Sequence, residues 1–299
     1  MERGVIMQNI IRIGSRESRL AVIQAEIIRK QIQNACPEVR IELVTMKTSG
    51  DKILDRSLEA IGGKGLFVKE LDRALLDGKI DIAVHSLKDM PMETNENLPI
   101  LAFGRRGDPR DALIIKPGKH TFPQNGVIGT SSRRRMLQMK ELYPDCSFRG
   151  IRGNVQTRLG KLETEEYDGT ILAAAGLKRL GMEHVISRIF EPEEMVPAAG
   201  QGILAVQGRK GSSFSWLETL KNRDSEIAAR AERQFVRALD GGCTSPTAAY
   251  AAVRGNEIRL TGFYQDETTG ETRRDTITGE SERAQCLGEK LALRIFGGK

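Results

Sequence analysis

The run IDIAV, residues 80–84, decides the fold. It is too short for a helix and apolar but for Asp81, so it reads as a strand buried on both faces, as in a parallel sheet. Upstream, Phe67 to Leu76 has the spacing of an amphipathic helix. Further back, VRIELVTM (39–46) reads as a strand. Leu20, Ile23, Ile27, Ile28 and Ile32 recur at helical spacing until Pro37, and IIRIG (10–14) reads as the first strand. Strands alternating with helices predict a mostly parallel, doubly wound sheet.

The pattern repeats beyond GRRGDPRDA (104–112), a stretch rich in Gly, Pro and charge. VIGT (127–130) and SFRGIRGN (147–154) each lead into a helix, and TILAAA (170–175) reads as a later strand. DIAVHSLK in the first unit is echoed by DGTILAAAGLK in the second, which points to two similar lobes facing a cleft. PAAGQGILAVQ (197–207) reads as a crossover back to the first lobe. A charge-rich helix over 223–239, strands at 247–253, 257–264 and 271–278, and a helix over 281–296 predict a small α+β unit. The expected domains are 1–104 with 201–222, then 105–200, then 223–299.

Composition narrows the function. The 299 residues, 39% hydrophobic and 29% charged, are those of an ordinary globular protein. The N-terminal stretch has no signal-peptide h-region and no apolar run reaches membrane-spanning length, so a cytoplasmic protein is expected. Cys36, Cys146, Cys243 and Cys286 are scattered and expected to be free thiols. His85, His120 and His184 have no zinc-binding spacing, so no metal site is expected. The net charge of +6 implies anionic ligands.

Basic residues gather where strands become helices. In GTSSRRRM (129–136), Ser131 or Ser132 can cap a helix whose first turn carries Arg133, Arg134 and Arg135. Cations at that end oppose the helix dipole, at about 0.3–1 kcal/mol each, unless an anion binds there. GIRGNVQTRLGKL (150–162) repeats the device with Arg152, a turn glycine at 153, a capping Asn154 and Arg158. GSRESRLA (14–21) repeats it with Arg16 and Ser18. Guanidinium forks suit carboxylates and phosphates. Substituting Arg134 or Arg135 is therefore expected to harm anion binding more than folding. GGKGLF (62–67) lacks the Ser or Thr of a phosphate loop, leaving Lys64 and Phe67 on a loop. In HSLKDMP (85–91), Lys88 and Asp89 fall at the carboxyl end of the buried strand, the ligand-facing edge of an open sheet. On local grounds alone Asp89 reads better as a surface ion-pair partner or a turn residue before Pro91. Cys243, in LDGGCTSP (239–246), sits in a turn open to close approach rather than in an apolar run.

RIGSRES, GGKGLFVKELD, DIAVHSLKDMP, GTSSRRR, RGNVQTRL, AGLKRLG, PAAGQG and GGCTSP stand in order along nearly the whole chain. Together they resemble the porphobilinogen deaminase (hydroxymethylbilane synthase) family. The resemblance implies two periplasmic-binding-protein-like lobes around a cleft and a small α+β C-terminal domain. It implies a dipyrromethane cofactor held by a thioether to Cys243, with Lys88, Thr130, Ser131, Ser132, Arg134, Arg135 and Arg158 on its carboxylates. Arg16, Ser18, Arg152, Arg179, Lys64 and Phe67 would face porphobilinogen or the growing chain. Asp89 would steady cationic intermediates as four deaminating condensations proceed and 1-hydroxymethylbilane is released. The resemblance also implies a monomer, passing its product to uroporphyrinogen III synthase.

Two positions depart from the family pattern: Arg133 extends the basic run, and Ala60 stands where some members carry lysine. A non-catalytic, two-lobed anion sensor would explain the lobes and arginines but neither the turn thiol nor Asp89. Nucleic-acid binding, suggested by pI 9.2, lacks an aromatic stacking platform, with aromatics at 5%.

Overall fold

Ile82, Ala83 and Val84 are almost wholly shielded from solvent, as a strand covered on both faces requires. The computed structural model describes residues 10–48, 68–239 and 246–297; Ala60, Lys64, Phe67 and Cys243 lie outside the described residues. The strand, β3 (Ile82–Ser86), begins two residues later than the apolar run suggests. Asp81, just before that start, pairs with Arg209 at 3.3 Å and accepts the Arg12 N–H at 2.8 Å. Around β3 lie β1 (Ile10–Arg16), α1 (Arg19–Ala35), β2 (Arg40–Met46), α2 (Lys69–Leu76) and β4 (Ile100–Phe103).

The second lobe contains β5 (Asp111–Ile115), β6 (Val127–Gly129), α3 (Arg133–Leu142), β7 (Ser147–Arg149) and α4 (Val155–Thr164). It continues with β8 (Gly169–Ala173), α5 (Ala174–Arg179) and β9 (Arg188–Phe190), and the chain then returns to the first lobe as β10 (Leu204–Gly208). The first sheet has the order β2-β1-β3-β10-β4 and the second β7-β6-β8-β5-β9. In the first, β1 is parallel to β2 and β3, while β10 runs antiparallel to β3 and β4. In the second, β6 is parallel to β7 and β8, while β5 runs antiparallel to β8 and β9. The two sheets thus share one plan, with β3 and β8 as equivalents, and this is the source of the sequence echo. Each is mixed, because its reversed strand arrives by a crossover.

The expected strand 170–175 stops at Ala173. Ala174 and Leu177, three apart and fully buried, pack as one face of α5 against the second core. The two crossovers pair with each other: Gly107 N–H donates to Gly202 O at 3.0 Å and Gly104 N–H to Leu204 O at 2.9 Å. Gly202 has φ +90°, and a Cβ there would lie 2.7 Å from Gly107 O, so a side chain would part the crossovers.

The remaining chain forms α6 (Leu217–Leu220), packed on the first lobe, and α7 (Arg223–Ala238). There follow β11 (Thr247–Arg254), β12 (Glu257–Gln265), β13 (Thr272–Glu280) and α8 (Ala284–Gly297). These strands form an antiparallel sheet in chain order, and Phe235, Ile258, Leu260, Leu291 and Ile295 make its core with the two helices. Glu232 of α7 fastens this unit to the crossovers. It is fully buried, pairs with Arg106 at 2.6 Å and accepts the N–H groups of Gly200 and Ala251, each at 2.7 Å. Among the described residues no helix is long and apolar enough to cross a membrane.

Candidate active site

A tight turn, Leu87–Asp89, ends β3. Leu87 is fully buried and anchors the turn, leaving Lys88 and Asp89 part-exposed at the sheet's carboxyl edge. Lys88 Nζ donates to Gln201 Oε1 at 3.4 Å. Burial lowers the Lys88 ammonium to about 8; Asp89 and Asp111 oppose the shift, and Arg135 and Arg134 add to it. The ionisable groups that face Lys88 therefore come from both lobes.

On the second lobe, Ser132 caps α3 and accepts the Arg135 N–H at 3.4 Å. The three arginines that follow diverge. Arg133 leaves the lobe and pairs with Glu267 of the third unit at 2.6 Å, which accounts for the extra member of the basic run. Arg134 and Arg135 turn inward, 5% and 6% exposed, onto the fully buried Asp111. Arg134 Nη1 donates to Asp111 Oδ2 at 2.7 Å and to Val196 O at 2.9 Å. Arg135 Nη2 reaches Asp111 Oδ1 at 2.8 Å and its Nη1 reaches Ile171 O at 3.0 Å. The anion that the backward helix end demands is supplied at least in part by the chain itself. Burial works against the Asp111 carboxylate, but the two guanidiniums overcome it and hold the group well below the usual carboxylate range.

Arg158 stands on α4, whose N-cap is Asn154. Its Nε donates to Gly153 O at 2.8 Å. The turn needs glycine, since Gly153 has φ +118° and a Cβ would lie 2.5 Å from Thr157. Burial lowers the Arg158 guanidinium to about 10, Arg135 and Arg152 add to the shift, and Asp89 opposes it. His85, buried in the first lobe, is lowered to about 4 by that burial; its hydrogen bond to Gln207 and the charge of Asp89 oppose this, and Arg16 adds to it. Arg16, Lys88, Asp89, Arg134, Arg135, Arg152 and Arg158 thus form one electrostatic cluster, with Asp111 beneath it.

The hydroxyls do local work. Ser18 caps α1, Thr130 Oγ1 accepts the Ser132 N–H at 3.2 Å, and Ser131 Oγ donates to Ile151 O at 2.9 Å. Arg179 is set on the second crossover, where Nη2 donates to Gly202 O at 2.6 Å, and burial lowers its guanidinium to about 10. Sequence reasoning missed Asp111 and Gln201. The signal for Asp111 was an acid among cations in GRRGDPRDA, which reads as a solvated linker.

Two lobes set the Asp89 carboxylate against a cluster of cations, and comparison with known proteins places the chain among the transferases of tetrapyrrole biosynthesis. Residues 11–215 match the family model described as "Porphobilinogen deaminase, dipyromethane cofactor binding domain", and residues 227–297 match "Porphobilinogen deaminase, C-terminal domain". The chain belongs to the porphobilinogen deaminase family. It is 54% identical over 288 residues to the porphobilinogen deaminase of Acetivibrio thermocellus, covering 96% of this chain and 98% of that one. It is 52% identical to that of Ruminiclostridium josui, covering 97% and 98% of the two chains. Among solved structures, the effector-binding domain of BenM with benzoate superposes with a TM-score of 0.42 at 16% identity, covering 71% of this chain and 89% of that domain.

Proposed function

We propose that this chain acts as a porphobilinogen deaminase, joining four porphobilinogen molecules to a dipyrromethane primer on Cys243 and releasing ammonia and 1-hydroxymethylbilane. The observation that carries the reading is the opposition of Lys88 and Asp89 on the first lobe to Arg134, Arg135, Arg152 and Arg158 on the second.

The residues fit the primer. Burial disfavours the charged forms of Lys88 and Arg158, lowering them to about 8 and about 10, so both stay protonated at neutral pH and gain compensation when carboxylates arrive; each pyrrole ring brings an acetate and a propionate. When bound, the primer supplies the free pyrrole α-carbon at which elongation starts. Lys88, Thr130, Ser131, Ser132, Arg134, Arg135 and Arg158 would hold its carboxylates. Arg134 makes both its hydrogen bonds within the described residues through Nη1, so a ligand would meet its other edge. Arg16, Ser18, Arg152 and Arg179, with Lys64 and Phe67, orient porphobilinogen.

Asp89 accepts hydrogen bonds from pyrrole N–H groups and stabilises the positive charge that develops as ammonia leaves. α7, which precedes Cys243 in the sequence, is tied to the segment that follows Asp89. Arg233 donates to Pro91 O at 2.6 Å and Arg237 to Met92 O at 2.9 Å. The same reading assigns the chain to the cytoplasm as a monomer whose product passes to a uroporphyrinogen III synthase; its scattered cysteines support a reducing compartment. Asp89→Ala tests the reading through steady-state turnover. The variant should keep the mass of the primer and lose at least about a hundredfold in kcat, as removal of one transition-state stabiliser does. A parental rate would make Asp89 an ordinary turn residue.

A further inference from the structure

Gln201 lies on the second crossover, between the lobes, and is fully buried. Its two ends bond in opposite directions. Oε1 accepts from Lys88 Nζ of the first lobe at 3.4 Å. Nε2 donates to Asp111 Oδ1 of the second lobe at 3.0 Å and to Pro109 O at 2.6 Å. Asp111 in turn holds Arg134 and Arg135 at 2.7 and 2.8 Å. The main chain of Gln201 is held as well, since Arg106 Nε donates to its carbonyl at 2.9 Å and Arg106 pairs with Glu232. An amide is suited to this place, being donor and acceptor at once without adding charge between an ammonium and a carboxylate.

We propose that Gln201 and Asp111 are positioning residues that link the turn carrying Asp89 to the arginine pair facing it, so that the two halves of the site keep register as the lobes move. The inference rests on the function proposed above. Neither residue need touch substrate. Gln201 fixes the ammonium beside Asp89, and Asp111 fixes the two guanidiniums, through bonds that run from one lobe to the other. A side chain present only to fill the core would need no polar partner at either end, whereas this one uses both.

The test is a double-mutant cycle on kcat with Gln201→Met and Lys88→Met, together with intact-mass measurement of every variant. Gln201→Met keeps the volume and removes the bridge. It should retain the primer mass, lose about tenfold in kcat with a smaller change in KM, and accumulate enzyme carrying partly elongated chains. A loss of folded protein alone would lower every enzyme species in proportion. In the Lys88→Met background the same substitution should cost less than about twofold, because the partner is already gone. Should Gln201→Met fail to fold, Gln201→Glu replaces it in the cycle, keeping the acceptor for Lys88 while losing the donor to Asp111. Parental kcat in the Gln201 variant, or losses that multiply independently, would overturn the link and leave the primer reading standing. A parent enzyme with no added pyrrole mass would overturn both.

Discussion

Arg134 and Asp111 meet at 2.7 Å in the interior of the second lobe, the carboxylate wholly enclosed and the guanidinium nearly so. Arg135 shares the same carboxylate from its other oxygen, at 2.8 Å. The basic helix end is therefore two things together: a lining of the cleft and an ion cluster of the core. A buried cluster of this kind adds little net stability but is costly to break, because the surviving charges are left without compensation.

Asp111→Asn should therefore lower folding stability by about 3–5 kcal/mol. Chemical denaturation followed by far-UV circular dichroism measures this. Arg135→Leu should also weaken the fold, because it strips Asp111 of one partner. The sequence alone leads to the expectation that substituting these arginines harms anion binding more than folding; their bonds to Asp111 add a folding cost. A stability loss under about 1 kcal/mol in both variants would show that the cluster is not the structural unit described.

Arg133 predicts the opposite. Its ion pair with Glu267 joins the second lobe to the third unit from a solvent-exposed position. Arg133→Ala should cost no more than about 1 kcal/mol, and the difference from the parent should shrink as salt rises from low to physiological concentration. Turnover should be unchanged within about twofold, since the side chain points away from Asp89's cluster. Denaturant midpoints at two ionic strengths and a rate measurement check both parts.

Much of this was legible before the structure, and the rest was hidden for physical reasons. Strands with long apolar runs and helices with periodic faces announce themselves locally, and β1, α1, β2 and β3 lie within a few residues of their expected bounds. The strands β4, β5 and β9 are three to five residues long, and long-range pairing with β10 and β8 determines where they run. Asp111 sits in a Gly, Pro and Arg stretch whose composition suggests solvent, yet it is wholly buried. Glu232 and Arg233 were concealed in the same way by the alternating charge of α7; one is wholly and the other almost wholly buried. Composition cannot distinguish a charge that faces water from one that faces a counter-ion brought from more than a hundred residues away.

His85 makes the fold sensitive to acid. The folded state holds it neutral to about pH 4, with its Nε2 3.0 Å from Gln207 Oε1, whereas an unfolded histidine titrates near 6.5. Between those values the unfolded chain binds the extra proton, so stability falls as pH drops from about 6.5 toward 4. At pH 5 this group should have cost about 2 kcal/mol relative to neutral pH. Urea midpoints measured from pH 7 to 5 should fall less steeply in His85→Asn than in the parent. Equal slopes would mean that His85 takes up its proton without unfolding.

The central claim is that Cys243 carries a pyrrole primer whose carboxylates the buried cations hold. The mass of the intact purified enzyme tests it most directly, set beside that of Cys243→Ser and repeated after brief exposure to porphobilinogen. The account predicts a parent heavier than its sequence by two linked pyrroles, a ladder of single-ring additions on exposure, and a serine variant at its sequence mass throughout. A parent at its bare sequence mass, or a serine variant that still carries the adduct, would contradict it.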